Sequence, residues 1–137
     1  MEREGQAPPH DLGLLGVTEK ALGERWAKDL RAAGGFVQKI PASTICGIPD
    51  YIVVARPAGI RVVEAKLRLP GRVAYDPKQL RRAQRWFLEA FHAVLGFGAS
   101  VLVLDPEGWV ELDWGLADIP LPAESFENLC TPYERRS

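Results

Sequence analysis

The sequence predicts one α/β domain, a mixed β-sheet flanked by helices, and three observations carry that expectation. The chain has 137 residues, 47% of them apolar, enough for one core and too few for two comfortable ones. Runs rich in Val and Ile alternate with segments of helical period, so both element types are present. Their order is helix, three strands, helix, two strands, which buries apolar faces when a sheet is layered between helices.

The first helix is expected from Thr18 to about Ala33, where Leu22, Trp26, Leu30 and Ala33 recur at spacings of four, four and three and form one apolar stripe. Thr18 suits the N-cap, and Gly34-Gly35 stop the helix. "FVQKI" (36–40) alternates as a strand, and "PASTICG" (41–47) is a loop. "DYIVVAR" and "IRVVEAK" are β-branched runs separated by Pro57, Ala58 and Gly59, the pattern of a hairpin. After a loop with Pro70 and Gly71, Asp76-Pro77 supplies a cap and a first-turn proline for a helix running to about Leu95, which Gly96 and Gly98 end. "ASVLVLD" and "WVELDW" complete the strands. Residues 1–17, with Pro8 and Pro9, are expected to be a flexible arm, 18–114 the folded domain, and 115–137 an irregular acidic tail.

Composition excludes several classes. No apolar run approaches the roughly 18 residues of a spanning helix. The N-terminal residues lack the charged-then-apolar order of a signal peptide. Cys46 and Cys130 make neither a zinc spacing nor a disulfide framework, as expected of a reduced cytoplasmic protein. The net charge is −1, but it is unevenly spread. From Arg56 to His92 nine basic residues stand against Glu64, Asp76 and Glu89, a local excess of +6, and beyond Val103 the acidic residues dominate. The basic block reads either as a phosphate-binding surface or as a solvated helix face.

The hairpin carries the most informative charges. Side chains alternate across a strand, so Val62, Glu64 and Lys66 share one face. With the turn at Pro57-Ala58, paired residue numbers sum to about 115, and Asp50 falls opposite Glu64 to Lys66. Two carboxylates and an ammonium therefore gather at one strand end. They are either a cross-strand Asp50–Lys66 salt bridge in solvent or a site, because adjacent carboxylates repel unless a proton or cation lies between them. A hard divalent ion binds through one or two carboxylates plus phosphate.

"Pro49-Asp50" followed by "Glu64-Ala65-Lys66" resembles the PD-(D/E)XK nuclease signature, with both parts on strands. "GERWAKDLRAAGGFVQKIPAS" is similar to the first helix, strand and serine loop of archaeal-type Holliday junction resolvases. "YDPKQLRRAQRWFLEAF" is similar to the following helix of those resolvases and of VRR-type nucleases. The resemblance spans about Lys20 to Asp105 and implies a restriction-endonuclease-like sheet. It implies that Asp50 and Glu64 ligate one or two Mg²⁺ ions, with Mn²⁺ substituting, and that the Ala65 carbonyl is a further ligand. Glu24 would join from the first helix, directly or through water, with Glu19 the next carboxylate along. Lys66 would orient the attacking water or stabilise the pentavalent phosphate. Gln79, in the order D-P-x-Q, would position water or Lys66. Gln84 is the alternative, or a buried amide satisfied locally. Ser43 would hold the DNA backbone, or is a plain turn residue.

The flanking Arg68, Arg72, Lys78, Arg81, Arg82 and Arg85 suit DNA phosphates, and the chain shows no base-reading appendage. The expected activity is Mg²⁺-dependent paired nicking of four-way DNA junctions by a homodimer. Trp86, Phe97, Trp109 and Trp114 are candidates for its interface or for the core. The alternatives are a flap- or duplex-cutting nuclease of the same superfamily, a non-catalytic DNA-binding protein, and a structural protein. The resemblance extends to phage resolvases, which work in the host cytoplasm.

Overall fold

The structure, a computed structural model, describes residues 18–41, 47–56 and 59–134. The arm, Ser43 and Cys46, and the turn residues Pro57 and Ala58 lie outside the described residues.

Thr18 opens α1 (Glu19–Ala32) by accepting the Ala21 N–H on its side chain at 3.0 Å, satisfying one of the helix's orphan donors. The apolar stripe buries Leu22, Trp26 and Ala27. The strands are β1 (Phe36–Lys39), β2 (Tyr51–Ala55), β3 (Gly59–Leu67), β4 (Val73–Tyr75), β5 (Ala99–Asp105), β6 (Gly108–Asp113) and β7 (Leu121–Pro122). The main sheet has the order β1-β2-β3-β5-β6. β3 and β5 run parallel and the other neighbours antiparallel. The expected α/β fold, a mixed sheet flanked by helices, is thus present, and it is consistent with a restriction-endonuclease-like arrangement.

The sheet separates two cores. On the α1 side lie Leu22, Trp26, Tyr51, Val53, Val63, Ala65 and Leu102. On the other lie Val62, Tyr75, Leu88, Val101, Val103 and Phe126. Every residue of β5 is buried, and its continuous apolar run reflects a strand covered on both faces.

Two stretches depart from the expectation. Asp76-Pro77 opens only a 3₁₀ turn (Pro77–Gln79); Leu80 is extended, and α2 runs from Arg82 to Leu95. Polar side chains close each start locally. Gln79 Oε1 accepts the Asp76 N–H at 2.9 Å, and Gln84 Oε1 accepts the Arg81 N–H at 2.9 Å. With Leu80 only 6% exposed, its burial and two competing caps break what periodicity joins. Gly96 ends α2 with φ +79°, as the left-handed C-terminal position requires.

From Gly115 to Glu134 the chain is not the irregular tail expected. β7 pairs with β4, α3 spans Ala123–Leu129, and Thr131 bridges to Trp109. Phe126 is 1% and Tyr133 8% exposed, so this segment completes the core. These elements are shorter than the windows over which helical or strand periodicity shows, so pattern reading does not detect them.

Gly47 has φ +87°, and a Cβ there would fall on the backbone of Ala83. Glycine therefore lets the approach to Asp50 lie directly against the start of α2. Among the described residues no helix is long and apolar enough to cross a membrane.

Candidate functional site

The hairpin register pairs Tyr51 with Val63 and Ile52 with Val62. Asp50, one residue before β2, therefore lies beside the next residues of β3, and its Oδ2 accepts the Ala65 N–H at 2.8 Å. That bond takes the place of a ladder bond where β2 has ended. In an extended strand a residue's N–H and C=O point to the same edge, so the Ala65 carbonyl is also directed toward the Asp50 side.

Glu64 and Lys66 point to the opposite face of the sheet from Ala65, toward α2. Gln84, on the first turn of α2, links them: its Nε2 donates to Glu64 Oε2 at 2.9 Å, and its Oε1 accepts from Lys66 Nζ at 3.1 Å. Lys66 Nζ is also 3.7 Å from Glu64 Oε2. The amide thus donates to the Glu64 carboxyl oxygen and accepts from the Lys66 ammonium, so both partners favour the same amide orientation. Gln79 does not join them; its Nε2 donates to the Leu67 carbonyl at 3.0 Å and its oxygen closes the 3₁₀ turn. The preference for Gln79 is thus corrected to Gln84, because the break at Leu80 turns the second glutamine inward.

Side-chain exposure falls from 26% at Asp50 to 16% at Lys66 and 4% at Glu64, so the cluster opens to solvent at Asp50. Glu64 holds its proton unusually tightly, with a pKa raised to about 8. Burial is the main cause and the charge of Asp50 the second, while Lys66 pulls the other way. Isolated carboxylates in apolar surroundings behave this way. The Asp50–Lys66 salt bridge is not what forms. Asp50 Oδ1 lies 3.7 Å from Lys39 Nζ, and Lys66 is taken up by Glu64 and Gln84.

Lys39 is a member of the cluster that sequence reasoning missed. It pairs with Tyr51 across β1 and β2, and its ammonium sits 4.9 Å from the Tyr51 ring centroid. The alternation of "FVQKI" announces a strand but not its neighbour, so the only available signal was the lysine itself.

Glu24 is a second correction. It is exposed, and among the described residues no three His, Cys, Asp or Glu side chains gather as a metal-holding group. The α1 carboxylate whose charge acts on Glu64 is Glu19. At about 100° per residue, Glu19 shares the inward face with Gly23 and Trp26, while Glu24 sits on the flank of that face, where its charge acts on Tyr51 beside Asp50.

The basic residues divide. Arg68 lies 4.6 Å from the Phe126 ring centroid and pairs with Asp105 at 3.9 Å and Glu127 at 3.3 Å. Arg85 pairs with Asp118 at 3.3 Å and donates to the Pro77 carbonyl at 3.2 Å. The C-terminal segment occupies both, so neither is the open phosphate contact expected of it. Arg72, Lys78, Arg81 and Arg82 are exposed and make no ion pair among the described residues. Of the aromatic candidates, Trp114 is buried at 4% and Trp109 packs on the α1-side core, whereas Trp86 and Phe97 are 70% and 49% exposed.

Compared with known proteins, the chain matches no family model and no curated protein sequence.

Proposed function

We propose that the protein is a divalent-metal-dependent DNA endonuclease that resolves four-way junctions by paired phosphodiester hydrolysis, acting as a homodimer. The observation that carries the reading is the meeting of Asp50, Glu64 and Lys66 at one strand end, with Gln84 bridging the last two.

The donor set suits Mg²⁺, which keeps several waters and needs only one or two carboxylates. Asp50, Glu64 and the Ala65 carbonyl would hold it, and Glu64, held protonated by burial and by Asp50, is the group a divalent cation would relieve. The ion would supply Lewis acidity at the phosphate and a more acidic water.

The chain's own groups do the rest. The Ala65 N–H fixes Asp50 Oδ2, and Oδ1 lies toward the half-exposed Lys39 ammonium. Gln84 holds the Lys66 ammonium against Glu64, where it orients the attacking water or neutralises charge developing on the phosphate oxygens. Hydrolysis adds the water oxygen to phosphorus and releases the 3′-oxygen as a hydroxyl, giving 5′-phosphate and 3′-hydroxyl ends.

The test offers purified protein a four-way junction, a flap and a linear duplex, with and without Mg²⁺, beside Asp50→Asn. Mg²⁺-dependent cutting of the junction that Asp50→Asn abolishes while binding survives is the expected result. Preference for the duplex would reject junction resolution and retain the nuclease; cutting by the Asp50→Asn protein would sink the metal site.

The two glutamines give a separate prediction. Gln84→Leu leaves the buried Glu64 carboxylate without its amide donor and Lys66 without its acceptor. Cleavage is expected to fall at least tenfold, roughly the effect of misplacing a catalytic group by an ångström or less. Gln79→Leu loses the hydrogen bond that closes the 3₁₀ turn and the one to the Leu67 carbonyl, costs about 1–3 kcal/mol of stability and leaves the single-turnover rate within about threefold. Equal rate losses in the two variants would contradict the assignment.

A further inference from the structure

We propose that the outward face of α2 is a nucleic-acid surface on which the Trp86 indole stacks an unpaired base while Arg82 and its cationic neighbours hold the adjoining phosphates. The proposal rests on the DNA reading above and names a feature of the substrate, an unstacked nucleotide of the kind a branch point exposes.

Gln84 and Leu88 face inward from α2. Trp86, two residues beyond Gln84, projects about 200° around the helix from it and is 70% exposed. Tryptophan is among the side chains most buried on average. Trp26 and Trp114 follow that rule at 1% and 4%, and Trp86 departs from it. A long helical side chain leans toward the helix N-terminus, over the residue four before it, which here is Arg82.

The charge of the exposed surface at this end of α2 is mostly positive. Arg72, Lys78, Arg81 and Arg82 are exposed without an ion pair among the described residues. Three carboxylates offset that charge only in part: Glu89 accepts from Trp114 Nε1 at 2.9 Å, Asp118 pairs with Arg85, and Asp76 caps the 3₁₀ turn. The partner is therefore anionic. Phosphates alone would need only the cations, whereas a base gives the aromatic face a partner, and such stacking tolerates any sequence. A second copy of this chain fits poorly, because a two-fold interface sets each patch against itself. Arg82 would then meet like charge, which disfavours the contact.

The test is binding in metal-free buffer, where cleavage does not interfere. The probes are a single-stranded DNA oligonucleotide, a four-way junction with unpaired bases at its centre, and a blunt duplex. Trp86→Ala is expected to weaken binding of the first two roughly tenfold and of the duplex less than about twofold. Trp86→Phe should keep most of the affinity. Single-stranded DNA should quench wild-type tryptophan fluorescence more than that of Trp86→Phe. Equal losses on all three probes, or no loss on any while wild type binds, would overturn the stacking role and leave the nuclease reading intact. A Trp86→Ala protein that changes from dimer to monomer by light scattering would assign the face to self-association instead. Wild type that binds none of the probes would remove both readings together. Because Trp86 makes no ring contact among the described residues, an unchanged melting curve is expected and checks that the variant is folded.

Discussion

Glu64→Gln is expected to abolish Mg²⁺-dependent cleavage and, in metal-free buffer at pH 8, to make the protein more stable than wild type. Both effects follow from one carboxyl group that is only 3% exposed. Its pKa is about 8 in the folded chain against an ordinary 4.5. Below the ordinary value both folded and unfolded chains hold the proton, and the group costs nothing. As pH rises from there, the unfolded chain releases the proton while the folded chain retains it. The unfolded state thus binds fewer protons, and stability falls with pH until the folded group also ionises. The penalty above pH 8 is on the order of 5 kcal/mol, or roughly 20 °C in melting temperature for a domain of this size. Glutamine keeps the shape and an oxygen for Gln84 to donate to, carries no charge, and removes the penalty. Melting curves from pH 5 to 8.5 check it: wild type should lose stability across that window and Glu64→Gln should not. Mg²⁺ should restore wild type increasingly toward pH 8 and leave the variant unmoved. A wild-type curve that is flat with pH would refute the account of a buried, proton-holding carboxyl.

The second large effect is expected at Lys66. Lys66→Met should reduce single-turnover cleavage about a thousandfold, the scale seen when a group that stabilises transition-state charge is removed, with DNA binding preserved within a few-fold. Lys66 is the cation that lowers the Glu64 pKa, so its loss drives that pKa up and strengthens the proton as a competitor of the metal. Higher pH and higher Mg²⁺ should then recover metal binding but not the rate. Lys66→Arg should rescue little, because a planar guanidinium is not interchangeable with the compact ammonium that Gln84 Oε1 accepts from at 3.1 Å. Rates measured against Mg²⁺ concentration and pH separate the two roles. Cleavage by Lys66→Met above one tenth of the wild-type rate, taken as roughly 1.4 kcal/mol of barrier, would exclude a catalytic lysine.

These effects belong to a cluster that was partly legible without coordinates. The juxtaposition of Asp50 with Glu64 and Lys66 follows from the side-chain alternation of two strands and the position of their turn, and the register of Tyr51 opposite Val63 agrees with it. The polar partners were not legible. The order D-P-x-Q favours Gln79 over Gln84, and what reverses that lies in Leu80, whose burial interrupts the helix and restarts it at Arg82. Glu19 and Glu24 are both candidates on one helix, and the docked rotation of α1 turns the first inward. Lys39 reaches Asp50 only because β1 pairs with β2.

The charges of the basic block show the same division over longer distances. Composition identifies a positive middle and an acidic end, and the tail reads as irregular because β7 and α3 are too short to show a period. Folding brings Glu127 to Arg68 and Asp118 to Arg85, partners 59 and 33 residues apart, and leaves Arg72, Lys78, Arg81 and Arg82 open. The strand alternation, the α1 stripe and its cap, the hairpin and the meeting of its charged ends were legible in the residues alone, because they depend on backbone periods and turn residues within a few positions. Which glutamine meets Glu64 and Lys66, which helix carboxylate acts on Glu64 and which arginines take acidic partners follow from packing. Those outcomes depend on how separate elements rotate and pack to bury their apolar faces, and a polar side chain's partner is whatever that packing brings within hydrogen-bonding distance.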